Sequence, residues 1–485
     1  MRLSVRSMAV AIMTAALALT LFGPAARGAR APVVNAENEA GVARTINIAG
    51  PVVDDDNPFF ADLGVNGRRC VTCHQPQQNM TITPAGARVL FDATEGTDPL
   101  FRANDGASAP TADVSTPAAR RAAYSMLLDK GLIRVGISIP ADAEFELADV
   151  KDPYGYAGRN ANNNELSLFR RPLPATNLRF LSTVMWDGRE TAQRGSAAAI
   201  HFDLSQQASN ATTGHAQAPL PIDAAARDAI VAYQMGNFTA QVFDRAAGEL
   251  HTAGGQGGPE NLVEEAFVFG ANDPLGCDAN GDNCTGGSDH FTSVIFDEYD
   301  AWMSLPGGGR NAARRAVARG QELFNTVAIP LTSVGGINDD FDAPSVPGTC
   351  GVCHDTPHAG DHSVPAPLNI GIADPPEAGS TRTKEGLDVS GMPVYTLRHK
   401  TTGETKTVTD PGRALITGQW KDIGRFKGPI LRGLAGRAPY FHNGSAATLL
   451  DVVNFYDTRF GLKKADGAAL TESDKSDLVA FLRTL

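Results

Sequence analysis

Two short runs constrain this chain more than anything else in it: Cys70-Val71-Thr72-Cys73-His74 and Cys350-Gly351-Val352-Cys353-His354. Two thiols three residues apart share one turn of backbone, from which they can reach the two vinyl groups of a porphyrin. The adjacent imidazole then points at the iron, the pattern of covalent c-type haem attachment. Zinc would need four ligands at each place, and a redox dithiol of thioredoxin type would need a βαβ setting that the Gly- and Pro-rich flanks lack. Cys70, Cys73, Cys350 and Cys353 therefore read as thioether anchors and His74 and His354 as proximal iron ligands. The cofactors expected are two covalently bound c-type haems. The motifs lie 280 residues apart, so each haem is expected to have its own domain.

The N-terminus sets the compartment. Arg2 and Arg6 precede a 15-residue apolar stretch from Met8 to Phe22, followed by the small residues of Gly23-Pro-Ala-Ala-Arg-Gly-Ala29. Basic, apolar, then small is the order of a secretory signal, and the stretch is short for a bilayer span of about 20 residues. Residues 1–28 are read as a signal peptide, and the mature chain as periplasmic and free of stable membrane insertion. Its loss removes Arg2, Arg6 and Arg27 and takes the formal charge from −12 to −15. Such a surface repels polyanions, so no nucleic-acid partner is expected. Oxidising surroundings suit a local disulfide between the two remaining cysteines, Cys277 and Cys284. Between and after them Asp278, Asn280, Asp282 and Asp289 alternate like calcium ligands, but Asn283 stands where the sharp turn needs Gly, so a solvated turn is the reading.

The intended organisation is a haem domain over 45–305 and a second over 306–485. Asn311 to Asn325 is helical in composition and follows the breaker Pro306-Gly-Gly-Gly309. Near the end Thr471 with Asp474 should cap a helix whose Leu478, Phe481, Leu482 and Leu485 share one face. A similar helix is expected from Asp223 to Phe243, carrying Ile230, Tyr233 and Phe238. Residues 75–165 and 250–290 read as loop-heavy insertions. The fold class expected is mainly α: two cytochrome c-like haem domains with long loop insertions.

Beyond the haem motifs, the run from Gly424 through Arg437-Ala-Pro-Tyr-Phe-His-Asn-Gly444 to Leu449 resembles the bacterial di-haem cytochrome c peroxidase family, as does Met185-Trp-Asp-Gly-Arg189. The resemblance covers most of 60–485 and is most specific in the C-terminal half. It implies that the N-terminal haem is peroxidatic, that the C-terminal haem receives electrons, and that Trp186 lies between them. It also implies hydrogen peroxide as substrate and a small cytochrome c or cupredoxin as donor, and leaves a homodimer open.

Three positions test the resemblance. Fourteen residues after His442, where typical members carry a distal Met, stands Tyr456, similar to the branch that includes the maturation enzyme of methylamine dehydrogenase. A hard anionic oxygen on the second iron would lower its potential. Met392, His358, His362 and His399 remain alternative ligands. The family's distal acid/base Glu falls at Gln217, counted from Gln207-Ala208; an amide orients peroxide but carries no proton, so His215 is the substitute, with His201 behind it. Family calcium sits between the domains, partly on main-chain oxygens beside the Pro-Tyr-Phe-His motif. Pro439 matches there, while the position of a side-chain Asn ligand falls at Arg171. Three functions follow: a periplasmic di-haem peroxidase, a maturation-type di-haem oxidase acting on a protein or organic substrate, and a plain di-haem electron carrier.

Overall fold

The structure is a computed structural model that describes residues 32–158, 165–192, 197–267, 269–270, 272 and 294–485. The leader at 1–28 and the Cys277–Cys284 pair lie outside the described residues. About 31% of the structure is helical and 17% strand, in several antiparallel sheets, so the fold is mixed α/β and the mainly α expectation is overturned.

The strands are short, and several of their pairings reach far along the chain. Val33–Glu37 pairs with Gly41–Asn47, which pairs in turn with Asn237–Asp244 nearly 200 residues on. The last strand occupies ground where the helix from Asp223 was expected to continue. That helix does begin at Asp223, whose carboxylate accepts from Ala226 N, but it ends at Gly236. From Asn237 onward almost every side chain is buried, Phe238 included, so neither a helical nor an alternating period is visible in the sequence.

A second sheet joins the two halves of the chain. Val394–His399 pairs with Thr405–Val408 on one side and with Phe145–Lys151 on the other. Phe145, Tyr395 and Leu397 are buried beneath it. The stretch 75–165 is thus more than loop: it carries the helices Pro84–Thr94, Pro117–Ala123 and Ser125–Lys130 and the strands Ile133–Ser138 and Phe145–Lys151. The long-loop part of the expected fold is corrected with it.

The C-terminal helices follow the sequence closely. Thr471 and Asp474 form the reciprocal cap of Glu472–Leu482, and Leu478, Phe481, Leu482 and Leu485 are all buried. They pack with Phe296, Tyr299 and Trp302 against Arg310–Thr326. Each such side chain contributes about 1.5–3 kcal/mol by leaving water. Gly320 allows the close crossing, since a Cβ there would lie 2.0 Å from Asp477 O. Among the described residues no helix is long and apolar enough to cross a membrane.

Candidate active site

Each Cys-x-x-Cys-His run forms a single turn, and each histidine is held the same way. Cys70–Cys73 is one helical turn, steadied by Thr72 Oγ1 accepting from Arg69 N at 3.0 Å. His74 Nδ1 faces Met80 O at 3.3 Å; Asn79 and Met80 turn through positive φ to present that carbonyl. In the second run Thr349 caps the turn Cys350–Val352, and His354 Nδ1 lies 2.6 Å from Gly360 O. A carbonyl on Nδ1 fixes the tautomer and leaves Nε2 as the metal-binding lone pair. Burial lowers both imidazoles to about 4, so both are neutral near pH 7, as a metal ligand must be. Burial likewise pushes the Cys70 and Cys350 thiols up to about 12, and no disulfide ties the four sulfurs. These residues fit a thioether-linked haem at both places.

The two places differ in what faces them. Cys70, Cys73 and His74 open into a cavity with mainly apolar walls such as Leu173, Leu181, Val184 and Leu204. A hydrogen-bonded imidazole–carboxylate pair lies in its wall. His215, just past the Ala197–Gly214 helix, sets Nδ1 2.5 Å from Asp105 Oδ2. Asp105 is also ion-paired to the buried Arg68, which is anchored to Pro99 O and Leu100 O, both at 2.8 Å. Burial would raise the Asp105 carboxyl, but Arg68 and His215 bring it below its ordinary value. Arg68, Asp105 and His215 all line the cavity.

The second motif adjoins an aromatic wall. Cys350 and Cys353 belong to one apolar cluster with Val352, Leu462, Phe460 and Tyr456. Tyr456 lies in the Leu449–Phe460 helix, half-buried, 5.3 Å from the Phe455 ring and 6.3 Å from Phe460. Burial, then the neighbouring Cys353 and Cys350, push its phenol above the ordinary value.

Trp186 connects the two surroundings. It lines the cavity of His74, and it shares a second apolar cluster with Phe426, Phe455 and Tyr456. Its indole donates from Nε1 to Arg171 O at 2.8 Å, and its carbonyl accepts from Lys427 N at 3.0 Å. The loop that carries it is held by buried charge: Arg170 bridges Asp187 at 2.5 Å and Asp410 at 2.8 Å. Arg413 donates to Asp187 O and Gly188 O. Burial would raise Asp187, but Arg170 and Arg189 hold it at about 2.

The remaining expected residues lie elsewhere. Gln217 is exposed, in a positive-φ turn, accepting from Asn66 Nδ2 at 3.2 Å, and it is not among the residues that line the cavity. His201 is exposed on its helix. Met392 is buried with Met126 and Phe169, His399 stacks edge-on to Trp420 at 5.4 Å, and His358 sits among Glu265, Asp297 and Glu298. His362 is the remaining alternative to Tyr456: it is buried, its Nδ1 meets Ala366 O at 3.3 Å, and its Nε2 has no hydrogen-bond partner among the described residues. Asp105 and Arg68 were missed because nothing local marks them; a buried ion pair 37 residues apart shows only once the chain is folded.

No protein-family model matches the chain. Among curated proteins, it is 32% identical over 208 residues to the cytochrome-c peroxidase IdrP1 of Denitromonas iodatirespirans, covering 40% of this chain and 45% of that one. To IdrP2 of the same organism it is 34% identical over 153 residues, 30% of this chain and 38% of the relative. To the cytochrome c peroxidase Ccp of Escherichia coli strain K12 it is 39% identical over 79 residues, 16% of each. The chain thus spans less than half the length of the curated relatives it matches. A crystal structure of a MauG-like protein associated with microbial copper homeostasis aligns over 88% of this chain and 86% of its own, at 17% identity and a TM-score of 0.35, too distant to bear on the site. Over about two-fifths of its length, this chain is similar in sequence to haem enzymes of the cytochrome-c peroxidase family.

Proposed function

We propose that this chain is an exported, periplasmic di-haem peroxidase, reducing hydrogen peroxide to two waters with two electrons and two protons. The electrons come from a small cytochrome c or cupredoxin. The observation that carries the reading is that the first histidine site opens on a cavity that holds a hydrogen-bonded imidazole–carboxylate pair. Haem held by Cys70, Cys73 and His74 would supply the peroxide-reducing iron, and haem held by Cys350, Cys353 and His354 the electron-receiving one. His215 then moves the proton between the peroxide oxygens from Nε2, while Asp105 keeps its Nδ1 protonated and its ring oriented. Gln217, on the same turn, has no proton to give and acts at most on the loop that carries His215. Trp186 is the aromatic step between the sites, supported by its membership of both surroundings. Anaerobically reduced protein given peroxide should oxidise a small c-type cytochrome catalytically; turnover no faster than that of free haem ends this reading.

A maturation-type di-haem oxidase acting on a protein or organic substrate is the second reading, favoured by Tyr456 beside Cys350 and Cys353. If Tyr456 ligates the second iron, Y456M shifts the spectrum and potential of one haem only; an unchanged spectrum removes the ligand and with it the case for this reading.

A further inference from the structure

Arg171 is buried, and among the described residues no carboxylate pairs with it. Its guanidinium faces main-chain oxygens instead. Nη1 donates to Lys130 O at 3.1 Å and Gly131 O at 3.2 Å, and Nη2 to Arg437 O at 3.2 Å. The first two are carbonyls at the C-terminal end of Ser125–Lys130, which have no partner within the helix; the third comes from the far half of the chain, two residues before Pro439. The backbone of Arg171 ties the same junction from the other side. Its N–H donates to His442 O at 2.6 Å, and its carbonyl accepts the Trp186 indole.

Three converging carbonyls are ligands that a calcium ion would use, and calcium takes six to eight oxygens at about 2.3–2.6 Å. Here that ground is filled. A Cβ on Gly131 would fall 1.9 Å from Arg171 Nη1, so the guanidinium lies directly against the main chain. The groups around it add cations, Arg437 and Lys130, and Lys130 is already paired with Asp388 at 3.3 Å. Burial and Arg437 lower the Arg171 guanidinium to about 10, which leaves it charged at neutral pH. The residues present do not fit a calcium ion at this junction.

We infer that the Arg171 guanidinium takes the place of a divalent cation between the two halves, cross-linking the carbonyls of Lys130, Gly131 and Arg437 and making the junction that holds Trp186 independent of calcium. The inference does not depend on the peroxidase reading, because its readouts are melting temperature and haem spectrum. In the wild-type holoprotein both should be unmoved by a calcium chelator and by added calcium. R171N removes the guanidinium and adds an amide oxygen beside the same carbonyls, a ligand set for a calcium ion; it should melt lower than wild type and recover saturably with calcium but not with magnesium. R171K, which keeps a cation, should remain indifferent to calcium and covers the case in which R171N does not fold. A melting temperature of the D278N/D282N protein, which lacks the Asp-rich loop as a source, that falls on chelation and returns with calcium overturns the inference. So does a folded R171N that ignores calcium.

Discussion

The two Cys-x-x-Cys-His segments have the same local structure and different surroundings. Each places its thiols on one turn and fixes its imidazole through a carbonyl six residues on, Met80 for His74 and Gly360 for His354. The first then faces a broad cavity with His215 and Asp105 in its wall, whereas the second packs in a cluster with Tyr456 and Phe460. The motif therefore determines how a haem would be attached, and residues well outside the motif, such as Asp105, His215 and Tyr456, determine what surrounds it. A site that opens on space and a titratable pair is suited to a reacting ligand. A site packed against aromatic rings is suited to passing electrons without admitting one.

Several measurements can break this contrast. The largest effect is expected from H215A. Positioned acid/base groups contribute about 10²–10⁴-fold, so the second-order reaction of peroxide with the reduced protein should fall by that order in stopped-flow measurements. A rate within a few-fold of wild type would mean the open site does not differ from the closed one by proton transfer. D187N comes next. It strips Arg170 of one of its two buried carboxylates, which should cost about 3–5 kcal/mol of holoprotein stability.

The same residue gives a pH dependence. Asp187 is held at about 2 by Arg170 and Arg189, against burial, while an unfolded Asp titrates near 3.9. Its contribution is complete above the unfolded value and is lost as pH falls through about 2, so D187N should flatten the acid limb of the stability curve in that window. An unchanged acid limb would show that the network between the two sites is not what acid breaks.

D105N should act on peroxide reduction through His215, and it also leaves the buried Arg68 without its carboxylate. Partners of this kind are worth about 10–100-fold, so peroxide reduction should slow by that order while the midpoint potential of the second haem stays put. A comparable potential shift at the second haem would make Asp105 a general structural residue. The smallest effect concerns Y456F, which keeps the ring packing and loses only the hydroxyl; its melting temperature should change little and its spectrum at one haem alone. Carbon monoxide sharpens the comparison without mutation: reduced protein should bind one molecule per chain, and two would mean that the second site is open as well.

Legibility in the sequence followed the range of the interaction. The attachment residues, the Thr471–Asp474 cap and the apolar face of the last helix were readable because each is settled within eight positions or fewer. The strand Asn237–Asp244 was not, since its identity depends on pairing with Gly41–Asn47 and its uniform burial leaves no period. His215 was named as a proton carrier on chemical grounds, yet what holds it, the Asp105–Arg68 pair, joins positions about 110 and 150 residues from it in sequence. Arg171 was read as the place of a calcium ligand, while its guanidinium is engaged with Lys130, Gly131 and Arg437.

By itself the sequence showed two Cys-x-x-Cys-His turns, which sulfurs and imidazoles belong to them, and a resemblance to di-haem peroxidases. Covalent spacing and helix caps are properties of consecutive residues, so no folding was needed to read them. Only the tertiary structure decided that the first turn opens on a cavity, which acid holds His215, how Trp186 joins the two surroundings and which carbonyls the Arg171 guanidinium meets. Those are matters of which distant groups meet, and that is set by packing and by sheet pairing across hundreds of residues.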